Sequence, residues 1–227
     1  MRVLVISDIH SNLTALETVL DDVGNFDAAI CAGDIVGYGP KPEECVDVLR
    51  LKGFHCVAGN HDFAVANLET DWFNDEAQVA IRINRSQLSL ANLDWLDNLP
   101  TELKLSLGGT RFTVFHGSPT QPLTSYIYPD NARALACQFL RTTGADILIL
   151  GHTHIPYKVE THGKCMTNPG SVGQPRDADP RASYQIIETS NKLIEHRRVT
   201  YNIDETADAI DSLGLPHIFA TRLFKGM

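Results

Sequence analysis

Eight polar residues occupy a repeated place in this 227-residue sequence, each just after a short apolar run. Asp8 and His10 follow Val3 to Ile6, Asp34 follows Ala28 to Ala32, and Asn60 with His61 follow His55 to Ala58. His116 ends the run from Arg111 to Phe115, and His152 with His154 follow Asp146 to Leu150. Carboxylate oxygens, imidazole nitrogens and an amide carbonyl make a mixed donor set that suits Mn²⁺, Fe, Co, Ni or Zn²⁺ better than the all-oxygen sites of Ca²⁺ and Mg²⁺. Seven of these residues (Asp8, His10, Asp34, Asn60, His116, His152 and His154) are candidate ligands, more than one tetrahedral ion takes. A carboxylate such as Asp34 can bridge two ions about 3.5–4 Å apart, so the pattern favours two metals over one.

The elements that must position these residues can be read from the flanking pattern. Val3 to Ile6 is a continuous aliphatic run that suits a buried strand, and Leu13, Leu16, Leu20 and Val23 follow at helical spacing, with Ser11 or Asn12 able to cap that helix. The strand from Ala28 to Ala32 leads through a Gly-Pro loop, Gly37 to Pro42, into an amphipathic helix carrying Cys45, Val46 and Leu49. In parallel α/β sheets, ligands gather beyond the carboxyl ends of the strands, so five such turns would converge although they are far apart in sequence. Residues 63–107 read as a helical cap inserted into one domain spanning 1–227, with Trp72 and Trp95 as the cap's own apolar core. Glu102 to Leu107 and Arg111 to Phe115 read as strands joined by a Gly108-Gly109 hairpin turn. The four late strand patterns, Tyr157 to Thr161, Cys165 to Asn168, Ser183 to Glu188 and Leu193 to Val199, suggest a second sheet, and 204–223 reads as a helical tail.

Composition excludes several classes. At 43% hydrophobic and 21% charged, the chain can bury a sizeable core, and a net charge of −9 repels long polyanions unless metal ions reverse the field locally. No apolar stretch approaches the roughly 20 residues of a membrane helix. Five cysteines without a Cys-x-x-Cys spacing read as reduced core residues, consistent with a cytoplasmic protein.

Asp8-Ile9-His10, Gly33-Asp34, Gly59-Asn60-His61-Asp62, His116-Gly117 and Gly151-His152-Thr153-His154 resemble, in order, the five blocks of the calcineurin-like metallophosphoesterases. Within that superfamily the chain looks closest to the small bacterial and archaeal phosphodiesterases of the YfcE type. The match runs from Met1 to about Ala182 and includes Asn168 to Gly173; the departure is the long stretch between the third and fourth blocks. The resemblance implies an α/β fold, a four-layer sandwich of two mixed β-sheets flanked by helices. It implies one ion held by Asp8, His10, Asp34 and His154, and a second by Asp34, Asn60, His116 and His152, with Mn²⁺ foremost and Fe, Zn, Ni or Co as alternatives. It further implies hydrolysis of small organic phosphates or nucleotides by a metal-bridging hydroxide, with His61 protonating the leaving oxygen and Asp62 supporting the imidazolium. The alternatives are a nuclease and a non-catalytic scaffold of the same fold, such as the retromer subunit.

Other residues carry weaker signals. Asn12 is a candidate substrate contact or simply a helix cap. Tyr38, and Tyr126 with Tyr128 on the loop from Gly117 to Pro129, can stack a nucleobase, although loop aromatics ordinarily serve packing. Arg176 and Arg181 can meet a distal phosphate, or can be solvated loop arginines.

Overall fold

A computed structural model describes all residues from Met1 to Met227. The chain runs β1 (Arg2–Ile6), α1 (Leu13–Val23), β2 (Ala28–Cys31), α2 (Pro42–Leu51), β3 (His55–Cys56), α3 (Asn60–Asn67), α4 (Asp75–Gln87) and α5 (Leu90–Asp97). It continues through β4 (Leu103–Leu107), β5 (Thr110–Val114), α6 (Pro129–Thr143), β6 (Ile147–Ile149), β7 (Tyr157–Thr161) and β8 (Lys164–Asn168). The last elements are β9 (Ala182–Glu188), β10 (Leu193–Val199), α7 (Ile203–Ser212) and α8 (Ile218–Lys225).

Two five-stranded mixed sheets result, in the orders β10-β9-β1-β2-β3 and β4-β5-β6-β8-β7. The strand period of two sorts the apolar residues of β1 onto two faces. Val3 and Val5 point at the other sheet, where they pack with Phe112, Val114, Ile147 and Ile149. Leu4 and Ile6 point the opposite way, into a cluster with Leu16, Val46 and Leu49 of α1 and α2. On the far side of the second sheet, Leu148 packs with Phe139 and Leu140 of α6. Helix, sheet, sheet and helix are thus stacked in four layers, as the resemblance implies.

Two expectations need correction. The four late strands do not form one sheet: β7 and β8 join the second, whereas β9 pairs antiparallel with β1 and carries β10 with it. The bound of 107 for the helical insertion is too long, since its last helix ends at Asp97, whereas the strand and hairpin reading holds: Leu103–Leu107 is an edge strand hydrogen-bonded to β5 across the Gly108-Gly109 turn. An alternating apolar pattern says that a segment is a strand, not which edge it extends. β1, β2 and β3 are parallel in one sheet and β5, β6 and β8 in the other. The loops after these strands face a common end of the sandwich.

Candidate metal centre

The seven candidate ligands meet at that end. Ligand atoms of Asp8, His10, Asp34 and His154 lie within 4.8 Å of one another, as do those of Asp34, His116 and His152, so the two groups share Asp34. Asn60 completes the second group, its Oδ1 lying 3.1 Å from Nε2 of His116. All seven side chains are buried.

Local backbone geometry explains how they converge. Asp8, His10, Asp34, His152 and His154 all hold left-handed conformations, with φ of 54°, 49°, 52°, 68° and 59°. Such conformations cost of order 1–3 kcal/mol each and persist only where the surroundings over-determine them. Here amide N–H groups of Asp8 and His10 donate to the carbonyls of Gly33 and Asp34, lacing the loop after β1 to the loop after β2. Gly59 is forced by proximity: a Cβ there would stand 2.0 Å from Oδ1 of Asp34. Asn60 and His61 lie in the first turn of α3, whose N-terminal amide at His61 donates to Asp34 Oδ1 at 2.8 Å.

The donor set fits cations. Nδ1 of His10 faces the carbonyl of Val36 at 3.2 Å, and Nδ1 of His154 faces that of Gln174 at 2.5 Å, so each Nδ1 carries the proton. Burial holds both imidazoles well below their usual pKa, so both are neutral at pH 7. Their Nε2 lone pairs nevertheless face each other at 3.1 Å, an arrangement that a cation satisfies and that neutral rings alone do not. Asp8 Oδ1, 3.2 Å from Nε2 of His154, is buried without any hydrogen-bond partner, as expected of an atom built to bind an ion, and His152 turns its Nδ1 to within 2.9 Å of Nε2 of His116.

The charges follow the same geometry. Burial pushes Asp8 up to about 7, and the neighbouring Asp34 carboxylate adds to the rise. Burial also opposes ionisation of Asp34, but the imidazoles of His116, His61 and His10 outweigh it and hold that carboxyl well below the usual range. Burial opposes charge on His116 too, yet Asp34 at 3.3 Å lifts it to about 9.

Above the ligands opens a cavity of ≈ 450 Å³ whose lining includes His61, Tyr38, Arg176, Phe73, Trp72 and Tyr126. His61 is buried, its Nδ1 has no partner, and burial pushes it down to about 4. Tyr38 is wedged among His10, His61 and Phe219 of α8 at ring distances of 4.5, 4.3 and 4.7 Å. The guanidinium of Arg176 reaches the Tyr38 hydroxyl at 3.4 Å and Gln174 Oε1 at 3.1 Å, and it is the only Lys or Arg lining the cavity.

The model of the calcineurin-like phosphoesterase superfamily domain matches residues 1–192. The chain belongs to this superfamily. A crystal structure of a metallophosphoesterase from Sphaerobacter thermophilus is 39% identical, superposes with a TM-score of 0.88, and is matched over 100% of this chain and 99% of that one. An uncharacterized protein of Methanocaldococcus jannaschii is 36% identical over 99% of this chain and 98% of its own length. The phosphodiesterase YfcE of Escherichia coli is 27% identical over 83% of this chain and 88% of its own length. As in the superfamily generally, the clustered Asp and His residues can hold metal. No helix is long and apolar enough to cross a membrane.

Set in this calcineurin-like frame, one expectation changes, that for Asp62, and two open alternatives are decided, Asn12 as a helix cap and Arg181 as a surface arginine. Asp62 makes no hydrogen bond to the His61 ring; its Oδ1 accepts from the amides of Ile35 and Val36 and its Oδ2 from that of Gly59. It ties the second and third ligand loops together rather than supporting an imidazolium. Asn12 is spent as a structural link: Oδ1 accepts from Ala15 N and Thr206 Oγ1, and Nδ2 donates to Gly173 O and the Tyr201 hydroxyl. Arg181 pairs with Asp179 at the surface. Sequence reasoning also missed Asn84, buried on α4, whose Oδ1 accepts from Ser11 Oγ and Gly37 N, both at 2.7 Å, and whose Nδ2 donates to Gly39 O. Its signal was an Asn on the buried stripe Ala77, Ala80, Ile81, Asn84.

Proposed function

We propose that this chain is a binuclear, metal-dependent phosphodiesterase or phosphatase acting on small organic phosphates or nucleotides. The observation that carries the reading is the pair of buried ligand groups sharing Asp34 beneath a cleft that also presents His61 and Arg176. Asp8, His10, Asp34 and His154 would hold one ion and Asp34, Asn60, His116 and His152 the other, with Mn²⁺ the leading candidate. When bound, such ions neutralise phosphate oxygens and bring the pKa of coordinated water towards neutrality.

The remaining work belongs to the chain. Arg176, braced by Tyr38 and Gln174, offers N–H groups to a non-bridging phosphate oxygen and so fixes the ester's orientation. His61 lines the cleft with its Nδ1 packed against Gly37, so the ring's other nitrogen, Nε2, is the one placed to give a proton to the leaving oxygen. Negative charge entering with the phosphate offsets the burial that keeps this ring neutral. The buried loops exclude bulk water from the ligands, which strengthens each of these interactions. The acidic chain and the single cleft cation favour small phosphates over long nucleic acid.

The test is hydrolysis of a panel of phosphate monoesters, diesters and dinucleotides by purified protein, before and after chelation and metal return. Metal-restored cleavage of any of these esters is expected. A protein that carries metal and cleaves none of them contradicts the proposal and leaves the scaffold reading.

A further inference from the structure

The floor of the cleft is accounted for by ions and phosphate, but its mouth is not. Trp72 and Tyr126 stand there 52% and 46% exposed, and Tyr128 beside Tyr126 is 44% exposed. Trp72 is therefore not the core of the insertion, as its composition suggests. It comes from the connection between α3 and α4, and Tyr126 from the loop between β5 and α6, so two unrelated segments bring aromatic rings to one cavity.

Both rings are held in place rather than left loose. The Trp72 indole N–H donates to the Glu69 carbonyl at 2.9 Å, and Phe63 and Phe73 meet the indole at 77° and 86°. Tyr126 stacks on the candidate ligand His152 with centroids 3.8 Å apart, and Tyr128 lies nearly parallel to it at 8°. Aromatic rings grouped at a cavity mouth and held in fixed positions are the surface on which a flat ring stacks. Polar atoms stand in the same wall: Asn74 uses Oδ1 to cap α4, accepting from Ala77 N, which leaves its Nδ2 donor for a ligand, and the Thr124 hydroxyl lines the cavity as well. A simple aryl group would have no use for them, whereas the nitrogen-bearing edge of a heterocycle would. The cavity's ≈ 450 Å³ falls within the range of roughly 300–1,000 Å³ typical of small-molecule sites.

We infer that the cleft takes a nucleoside phosphate, its phosphate over the ligand floor beside Arg176 and its base against Trp72 and Tyr126, with Asn74 reading the base edge. The inference rests on the hydrolytic reading only for the position of the phosphate.

The experiment compares adenosine monophosphate with ribose phosphate on Mn²⁺-loaded protein. Affinity is read from retention of radiolabelled ligand on rapid filtration in the first seconds after mixing, with quenching of tryptophan fluorescence as a second signal in the wild-type protein, and release of phosphate is followed separately. Adenosine monophosphate is expected to bind about 10-fold more tightly than ribose phosphate, the order that base stacking supplies. Trp72→Ala should bring the two within about twofold, Trp72→Phe should keep most of the preference while losing the quench, and Tyr126→Ala should fall between. Equal affinities in the wild-type protein, or no binding of either at millimolar concentration, overturn the inference whether or not a variant folds. A base preference in a protein that hydrolyses no ester keeps the base site and removes the hydrolytic reading; hydrolysis without a base preference does the reverse.

Discussion

The floor and the mouth of the cleft are built by opposite rules. On the floor, five ligands sit in left-handed backbone and are laced by amide hydrogen bonds between neighbouring loops, so each side chain has one position available. At the mouth, Trp72, Tyr126 and Tyr128 hold ordinary backbone and stand about half exposed, Tyr126 alone of the three being stacked on a candidate ligand, His152. Left-handed backbone is concentrated among the candidate ligands and is absent from the three aromatic residues of the mouth. The difference separates chemistry from choice: the floor cannot change without losing ions, whereas the mouth can change at little cost to the fold.

Substitutions that break the floor should have the largest effects. Asp34→Ala removes the carboxylate common to both ligand groups, so metal retention and turnover should both disappear by elemental analysis and ester hydrolysis. Gly59→Ala pushes a methyl onto Asp34, and overpacking of this kind costs about 1–3 kcal/mol, visible in thermal melting together with loss of metal. His61→Ala should keep its metal and lose about 10²–10⁴-fold in kcat, the usual contribution of a positioned acid. Equal metal loss in the Asp34 and His61 variants would erase the distinction between ligand and proton donor.

Effects should shrink away from the floor. Asn84→Ala strands Ser11 Oγ, Gly37 N and Gly39 O, and buried groups left unpaired cost about 1–3 kcal/mol, so melting should fall while the ligands themselves remain. Trp72→Ala should change stability by no more than about 0.5 kcal/mol, as exposed positions usually do, and should act on KM instead. A large drop in melting temperature for Trp72→Ala would show that the mouth is structural after all, and the contrast would fail.

The same contrast marks how far the sequence could be read. The ligands were legible because each follows an apolar run, and a run's end fixes where a parallel strand delivers its side chains. The two-sheet sandwich followed from the resemblance, but the return of β9 to β1 did not, since pairing between Arg2 and Glu188 spans nearly the whole chain and no local pattern encodes it. Asn12 and Asp62 share their residue types and neighbourhood with the candidate ligands, yet their oxygens are consumed by backbone amides and, for Asn12, by the Thr206 hydroxyl, a distinction visible only once donors are placed. Trp72 reads as core by type, and only the path of the α3–α4 connection brings it to the cleft. The helices α7 and α8 lie beyond the matched superfamily domain, and sequence gave no hint that Phe219 braces Tyr38.

Metal titration of chelated protein, read by isothermal calorimetry with elemental analysis of the dialysed product, tests the central claim most directly. Two transition-metal ions per chain are expected in the wild-type protein, and none retained in Asp34→Ala. A wild-type chain that saturates at one ion, or an Asp34→Ala chain that still holds two, would contradict a centre shared through that carboxylate.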